Sequence, residues 1–447
     1  MEPAPQPEQI APQLQRRRVA VVAEWGLTDE IVLIGAGGLI GIPGRGDVTY
    51  PFRAHSEYLY LTDRNRPDGV LAFDPQDGWR DFVPPVTASD RLWAGDLGGD
   101  PDGVPMPELA GWLTARGRRP IAHLGVEPLE GPGDRRLTER LRLALNHVRR
   151  PKDAVELERM RIAERATRAG FAAVAPLLVD GVSEREAQIE LEAAAFRHGG
   201  DAMAYDTIVG SGPNSAVLHF APSDRRFGTG ELVLIDAGAE YRGYASDITR
   251  TYPVGGVLSP EQRDLHALVR AAELAGIERC TPGTEWREVH RTAALVIAEG
   301  LVAAGLLRGS ADDLVESGAT RLFFPHGVGH LVGLGVRDAG GALAGRQDDP
   351  PPVPSLRIDL PLRVGMVVTV EPGLYFVPAL LQDPERRRRH RDHVNWDCVD
   401  ARIGFGGIRI EDNVLIAADG PEVLTADVPV LAAGSSSGPR RCADCRF

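Results

Sequence analysis

Four acidic residues interrupt apolar strand patterns in this chain of 447 residues. Asp236 ends the run LVLID, Asp247 lies in ASDIT, Glu371 follows MVVTV and Glu411 follows GIRI. Strands normally avoid aspartate and glutamate. A buried carboxylate needs a partner charge, because desolvating an isolated one is very costly. Too few cationic residues lie nearby in the sequence to pair with all four acids, so the pattern predicts a divalent metal site.

The spacing of the first two acids predicts a hairpin. Asp236 and Asp247 flank the segment AGAEYRGYAS. A two-residue turn at Tyr241 and Arg242 would place the aspartates directly opposite each other, with Cβ atoms roughly 4.5–5.5 Å apart. The two metals of a hydrolytic pair lie about 3.5–4 Å apart, so facing aspartates would suit them. A turn shifted by one residue would offset the pair.

The stretch FFPHGVGHLVGLGVRD contains two histidines four residues apart, His326 and His330. The Gly-Val-Gly between them argues against a regular helix. Gly327 also stands where the HExxH zinc-protease motif has its glutamate. We expect one histidine to bind metal and the other to face a substrate.

The overall composition excludes several classes of function. The formal net charge of −13 argues against nucleic-acid binding, because phosphate contacts need a basic surface. The N-terminal segment lacks the apolar region of a secretion signal, and no run approaches the roughly 18 apolar residues of a membrane span. We therefore expect a cytoplasmic protein that binds neither nucleic acid nor membranes.

The pattern of apolar residues predicts two folded domains. Residues 1–15 are rich in Pro and Gln and are predicted to be disordered. Residues 16–148 contain the strand patterns IVLIGAGG, EYLYLTD, GVLAFDP and PIAHLGVE, which predict a smaller mixed α/β domain. Residues 149–430 combine distant strand patterns with long helical ones, which predicts an α+β domain with helices covering a curved antiparallel sheet. The tail, 431–447, is predicted to be disordered.

Two helix starts in the second domain are marked by capping residues. Ser183 and Glu186 have the spacing of a capping box. Ser259 precedes Pro260, which is a favoured residue in the first turn of a helix.

Four motifs, in this order, carry a resemblance to a known family. ELVLIDAGAEYRGYASDITRTYP, PHGVGHLVGLGV, TVEPGLYF and GIRIEDNV resemble the dinuclear metallopeptidases of the pita-bread fold, and more narrowly the Xaa-Pro dipeptidases (prolidases) and Xaa-Pro aminopeptidases. The similarity covers most of residues 150–430. YPFRAHSEYLYLTD is similar to the N-terminal, creatinase-type domain of that family. The resemblance implies a pita-bread fold for the catalytic domain.

The resemblance also implies five metal ligands. Asp236 should bind one metal, Asp247 and Glu411 should bridge both, and His330 and Glu371 should complete the other site. Manganese is the expected metal, with cobalt or zinc as alternatives, and an oxygen-rich site with one imidazole suits manganese. A water bridging the metals would lose a proton and attack the carbonyl of the Xaa–Pro amide, with Glu371 as the proton acceptor.

Other candidate site residues follow from the same resemblance. His219 matches a histidine near the substrate, and His326 matches one that contacts the scissile carbonyl or stabilises the charged intermediate. Arg409 matches an arginine near the site. Tyr375 and Tyr205 match aromatic residues of the pocket wall or of the layer behind the metal ligands.

The sequence departs from the family pattern at Arg337, where a histidine is usual. An arginine cannot donate and recover a proton near neutral pH, because its pKa exceeds about 12. It can hold a carboxylate by two hydrogen bonds. Arg337 therefore either binds the C-terminal carboxylate of the substrate or weakens catalysis. In the latter case a catalytically silent binding module becomes an alternative.

The arm between Glu371 and Glu411, residues 372–410, bears on the size of the substrate. Its NW dipeptide and its FGGIRIEDNV ending look like the bacterial prolidase type. A long arm could wall off the cleft, so we favour hydrolysis of Xaa-Pro dipeptides, with an aminopeptidase acting on longer peptides as the alternative. Hydrolysis of organophosphate esters is a secondary expectation. The family usually forms homodimers or tetramers, and we expect a homodimer.

Overall fold

The computed structural model describes residues 7–94, 102–126, 129, 131–342, 346 and 356–430. The chain divides into two compact units, Met1–Arg149 and Arg150–Phe447. The predicted disordered tail, 431–447, lies outside the described residues.

The first unit contains a five-stranded mixed sheet. Its elements are α1 (Pro7–Trp25), β1 (Ile31–Gly35), α2 (Ser56–Thr62), β2 (Val70–Asp74), β3 (Gly78–Val83), α3 (Ala88–Ala94), β4 (Val104–Pro105), α4 (Leu109–Thr114), β5 (Ile121–Gly125) and α5 (Arg135–Arg149). The strand order is β4-β3-β2-β1-β5. The β1–β5 and β3–β4 pairs are parallel, and the other two are antiparallel.

Two sequence expectations for this unit are wrong. EYLYLTD forms the helix α2, capped by the His55 side chain, which accepts a hydrogen bond from the backbone of Glu57. All residues from Glu57 to Thr62 are buried, so no polar face distinguished helix from strand. The segment predicted to be disordered contains the start of α1, which begins at Pro7. Burial of Val21 and Trp25 anchors this helix, because tertiary packing supplies most helical stability.

The second unit is α+β, as predicted. Its elements are α6 (Ala154–Val174), α7 (Glu184–Arg197), β6 (Ala202–Met203), β7 (Ile208–Ser211), β8 (Leu232–Ala237), β9 (Ala239–Tyr241), β10 (Tyr244–Ala245), β11 (Ile248–Pro253), α8 (Pro260–Glu278), α9 (Trp286–Ala303), α10 (Ala311–Glu316), β12 (Gly341–Ala342), β13 (Ile358–Asp359), β14 (Val367–Val370), β15 (Gly373–Tyr375), α11 (Pro378–Leu381), α12 (Pro384–Arg389), α13 (Trp396–Asp400), β16 (Gly407–Arg409), β17 (Asp412–Ala417) and β18 (Gly420–Val423). Both predicted helix starts are confirmed, with capping boxes at Ser183 and Ser259.

Short antiparallel sheets in this unit meet where the four acids lie. The three-stranded sets are β11-β8-β7, β14-β17-β18 and β10-β9-β6, and β15 pairs with β16. Isolated bridges join the sets, including Thr249 with Glu411 and Leu331 with Val368. A large apolar core, with Trp286 and Val370 among its members, packs the sheet against α8 and α9. In the described part of the chain, none of the helices has both the length and the apolar character that crossing a membrane requires.

Two buried histidines on the core helices should make the protein acid-sensitive. Burial lowers the pKa of His266 and of His290 to about 4. Between about pH 4 and pH 6.5 the unfolded chain binds protons that the folded chain does not, so the free energy of unfolding falls as the pH is lowered. Each histidine should account for about 3 kcal/mol of this loss.

We expect His290→Gln to flatten the pH dependence of the free energy of unfolding in this interval, as measured by urea denaturation at a series of pH values. An unchanged slope would show that His290 is not held neutral in the folded protein.

Candidate active site

The hairpin that carries the first two acids turns one residue later than predicted. Tyr241 pairs with Tyr244, so the turn residues are Arg242 and Gly243, with φ angles of 52° and 84°. Two central residues with positive φ characterise the type I′ turn, in which glycine is favoured at the second position. The predicted turn at Tyr241 and Arg242 is therefore wrong, because it would have placed an ordinary side chain where Gly243 is needed.

This turn sets a different register for the aspartates. Asp236 pairs with Thr249, so Asp236 and Asp247 are diagonal neighbours on one face, and the predicted directly facing pair is wrong. Both carboxylates nevertheless reach the Tyr205 hydroxyl, with Oδ1 of each 2.6 Å from that oxygen. The hydroxyl has one proton to share between two acceptors.

Glu411 is held against the same strand by two hydrogen bonds. The Thr249 hydroxyl donates to Glu411 Oε2 over 2.6 Å, and the Glu411 backbone N–H donates to the Thr249 carbonyl over 3.1 Å. Asn413 clamps the backbone of Asp247, accepting from its N–H over 3.1 Å and donating to its carbonyl over 2.7 Å. β11 and β17 thus place Asp247 and Glu411 together.

His330 lies with one ring nitrogen directed at the acids. Its Nδ1 can only donate to the Leu331 carbonyl, 3.1 Å away, which leaves a lone pair on Nε2. Nε2 is 3.4 Å from Asp247 Oδ2 and 3.7 Å from Glu371 Oε1. Burial lowers the pKa of His330 to about 4, so the ring is neutral, as a metal ligand must be.

A glycine of the PHGVGH motif allows the approach of the next strand. A Cβ on Gly329, whose φ is +156°, would lie 2.0 Å from the Thr369 carbonyl oxygen. The Thr369 N–H donates to the His330 carbonyl over 2.8 Å. Only glycine permits this contact, which fixes His330 beside β14 and brings it close to Glu371.

The charge balance of the cluster fits a divalent metal. Ligand atoms of Asp247, His330 and Glu411 lie within 4.8 Å of one another. Burial, together with neighbouring carboxylates, raises the pKa of Asp247, Glu371 and Glu411 well above the usual range. Asp236 has a counter-charge in Arg409, whose Nη2 donates to Asp236 Oδ2 over 2.6 Å. The excess negative charge on oxygen donors beside a neutral imidazole is what such a cation would offset.

These side chains open onto a cavity of about 760 Å³, within the range of small-ligand sites. Ten of the residues singled out in the sequence line it: Tyr205, His219, Asp236, Asp247, His326, His330, Arg337, Glu371, Arg409 and Glu411. Tyr375 lies in the layer behind the cavity and is fully buried.

Tyr375 connects two of these residues. Its hydroxyl accepts from Arg409 Nη1 over 2.9 Å and donates to His326 Nε2 over 2.9 Å. The His326 Nδ1–H donates to the Gly327 carbonyl over 2.9 Å. Burial and then the charge of Arg409 lower the pKa of His326 to about 3, so the imidazole is neutral with both nitrogens engaged.

Several residues of the site were missed in the sequence. Asn413 stands two residues after Glu411, and the strand period of two could have indicated a shared face. Arg185, Asp206 and Arg357 also line the cavity, but they come from separate segments with no motif.

The arm expected to close the cleft packs elsewhere. Among the described residues, none from 372 to 408 lines the cavity. The arm pairs with the segment that follows α9: the Asn395 N–H donates to the Leu306 carbonyl over 3.0 Å, and the Arg308 N–H donates to the His393 carbonyl over 2.8 Å. The predicted wall around a dipeptide is therefore wrong, since apolar burial holds the arm on the helical side.

An α+β unit with buried carboxylates and an imidazole around one cavity is the arrangement expected of a metal-dependent enzyme. The profile of metallopeptidase family M24 matches residues 158–418, and that of the aminopeptidase P N-terminal domain matches residues 14–102. The chain belongs to metallopeptidase family M24. The predicted Xaa-Pro peptidase family and pita-bread fold are confirmed, and the family implies divalent metal ions.

Individual relatives agree with this assignment. A probable Xaa-Pro aminopeptidase of Metarhizium robertsii is 32% identical over 462 residues, covering 91% of this chain and 89% of that protein. The Pseudomonas aeruginosa aminopeptidase PepP is 30% identical, with a TM-score of 0.75, covering 94% and 95% of the two chains. Escherichia coli aminopeptidase P with the inhibitor Pro-Leu is 28% identical, with a TM-score of 0.76 and the same coverage. These names favour the aminopeptidase alternative, and the dipeptidase interpretation is not confirmed.

Proposed function

We propose that this protein is an Xaa-Pro aminopeptidase, which hydrolyses the bond between an N-terminal residue and a following proline in peptides longer than two residues. The observation that carries the proposal is the convergence of Asp236, Asp247, His330, Glu371 and Glu411 on one cavity. The names of the relatives support the choice of longer peptides. Within residues 372–410, all of which the structure describes, only Arg409 lines the cavity, which removes the argument that a long arm limits the cleft to dipeptides.

The same five residues are the proposed metal ligands. Asp236 would hold one ion, Asp247 and Glu411 both, and His330 and Glu371 the other, with manganese as the proposed metal and cobalt or zinc as alternatives. When bound, two divalent ions supply Lewis-acid polarisation of the scissile carbonyl and lower the pKa of water.

Glu371 is the proposed proton carrier. Its side chain is 18% exposed and lines the cavity, so a substrate can reach its oxygens. In the metal-free protein, burial and then the charge of Glu411 raise its pKa. With access to the cavity, Glu371 could take up a proton from the attacking water. Delivery of that proton to the proline nitrogen would complete cleavage.

Arg409, Tyr375 and His326 are proposed to orient the site. Arg409 holds Asp236 and the Tyr375 hydroxyl at the same time, and Tyr375 fixes His326. His326 would contact the scissile carbonyl only with a proton on Nε2, which then donates to that oxygen instead of accepting from Tyr375. Tyr205 holds the two aspartates, and exposed His219 lines the cavity where a peptide would enter.

The substrate length gives a direct test. We expect Ala-Pro-Ala to be cleaved with a kcat/KM about tenfold or more above that of Ala-Pro, equivalent to about 1.4 kcal/mol of additional transition-state binding. Steady-state kinetics with manganese, and with chelator as control, would measure it. Faster turnover of the dipeptide would reinstate the dipeptidase interpretation.

Arg337 is proposed to bind the C-terminal carboxylate of short substrates. It is exposed and lines the cavity, and no hydrogen bond joins it to another described residue. A charged, two-bond contact is worth about 1.5–3 kcal/mol. Arg337→Gln should therefore raise KM for Ala-Pro-Ala about tenfold and leave KM for the matched Ala-Pro-Ala amide unchanged. A rise in kcat without a change in KM in Arg337→His would instead indicate that arginine weakens catalysis.

A further inference from the structure

A second cavity lies on the helical side of the Arg150–Phe447 unit. Its volume is about 420 Å³, and α9 forms one wall through His290 and Ala294. The opposite wall contains Thr320, Arg321 and Phe324. None of its lining residues lines the candidate active site, so it is a separate cavity.

Two buried polar atoms of this cavity lack partners. His290 is 5% exposed and Thr320 is 2% exposed. His290 Nδ1 and the Thr320 hydroxyl have no hydrogen-bond partner among the described residues. Buried polar groups in folded proteins are nearly always paired, because an unpaired one forfeits its hydration. Both residues line the cavity, so their unused hydrogen-bonding capacity makes it more polar than its apolar side chains alone would.

Arg321 supplies an uncompensated charge to the same wall. It is half-buried, and within the described ranges no acidic side chain forms an ion pair with it. The other arginines of the cavity are paired: Arg287 with Asp359 over 2.6 Å, and Arg291 with Asp312. A guanidinium with free donors binds carboxylates through two parallel hydrogen bonds.

We propose that this cavity binds a small molecule with one carboxylate and an apolar body. Arg321 binds the carboxylate at the wall that also carries Thr320, and His290 lies on α9 in the same cavity. Ala294, Val315 and Phe324 pack against the apolar body. The remaining lining residues, Glu288 and Glu316, are exposed acids, which disfavour a second negative charge on the ligand.

The ligand would contact Phe324, whose ring packs against His326 of the candidate active site. The ring of Phe324 is 5.4 Å from that of His290, and it packs edge-on against His326 with centroids 5.0 Å apart. The occupant is therefore one side chain away from the imidazole that faces the substrate cavity. The binding itself does not depend on the proposed peptidase function.

Titration calorimetry on the full chain tests the proposal with three probes: benzoate, phenylacetate and hexanoate. We expect saturable binding of at least one of them, and about tenfold weaker binding of its neutral amide. Arg321→Gln should weaken binding of the carboxylate about tenfold. The matched control, Arg291→Gln, changes a paired arginine of the same cavity and should leave the affinity within about twofold.

Two further variants locate the binding site. Ala294→Met fills the cavity from the α9 side and should abolish binding without touching Arg321. Arg337→Gln changes the other cavity and should have no effect. The proposal is overturned if none of the probes binds, if binding survives both Arg321→Gln and Ala294→Met, or if it is lost in Arg337→Gln.

Discussion

Asp247→Asn is expected to reduce metal-dependent hydrolysis of Ala-Pro-Ala by about a thousandfold or more. Metal ions contribute several kcal/mol to stabilisation of transition-state charge, and about 4 kcal/mol corresponds to a thousandfold in rate. Asp247 lies closer to His330 Nε2 than Glu371 does and shares the Tyr205 hydroxyl with Asp236. Loss of the Asp247 carboxylate should therefore alter the positions of neighbouring proposed ligands as well as remove one of them. Initial rates in manganese would measure the effect.

The same substitution should have the opposite effect on stability without metal. Carboxylates whose folded pKa is raised above the unfolded value destabilise the fold once the pH rises into their titration range. Asp247→Asn removes one of these charges, so the chelator-treated variant should unfold at a higher temperature than the chelator-treated parent. The parent should gain about 2.7 kcal/mol when metal is added at 100 times its dissociation constant, and the variant should gain less.

Asp206→Asn is the matched control. Asp206 is an exposed acid of the same cavity and is not a proposed ligand, so its loss should leave metal binding and turnover within a few-fold. Metal-dependent turnover of Asp247→Asn within about tenfold of the parent would contradict the assignment of Asp247, since that loss corresponds to only about 1.4 kcal/mol.

Lys152→Met is expected to lower the free energy of unfolding strongly. Lys152 is the only lysine of the chain, and its Nζ lies 2.6 Å from Asp338 Oδ2, with side chains 0% and 1% exposed. Gly333 leaves room for the pair, because a Cβ there would lie 2.3 Å from Lys152 Cε. Removing the ammonium leaves the buried Asp338 carboxylate without its nearest counter-charge, which costs about 3–5 kcal/mol. Urea denaturation would measure this loss in the free energy of unfolding.

The double variant Lys152→Met with Asp338→Leu is the control for this prediction. Replacing both charges of a buried pair with apolar side chains is often nearly neutral, so the double variant should recover most of the lost stability. Equal losses in the single and double variants would show that the packing of Lys152, rather than its charge, stabilises the fold. Asp338 follows Arg337 directly, so the pair also anchors the segment that carries Arg337.

The sequence was sufficient to identify the acidic residues of the candidate site, but it was not sufficient to predict how the strands place them. The four acids, Asp236, Asp247, Glu371 and Glu411, could be recognised because each is adjacent to an apolar strand pattern. Such a pattern indicates burial, and a buried charge needs a partner. The register of the hairpin did not follow, because it depends on whether Arg242 or Gly243 takes the second turn position. A slip of one residue there changes the partner of Asp236 from Asp247 to Thr249.

Features decided by long-range packing could not be predicted. EYLYLTD is covered on all sides, so its pattern fits either helix or strand, and its caps, His55 and Asp63, become visible only in the structure. The arm of residues 372–410 was expected to wall off the cleft because of its length. Its position depends instead on long-range contacts with the segment after α9. Arg357 reaches the cavity from a segment that carries no motif.

Anomalous diffraction from crystals soaked in manganese chloride tests the central claim most directly. We expect two manganese peaks in the candidate active site, one beside Asp236 and one beside His330, with Asp247 and Glu411 in contact with both. A soaked crystal with no anomalous peak within bonding distance of these residues would contradict the assignment of a dinuclear hydrolytic centre.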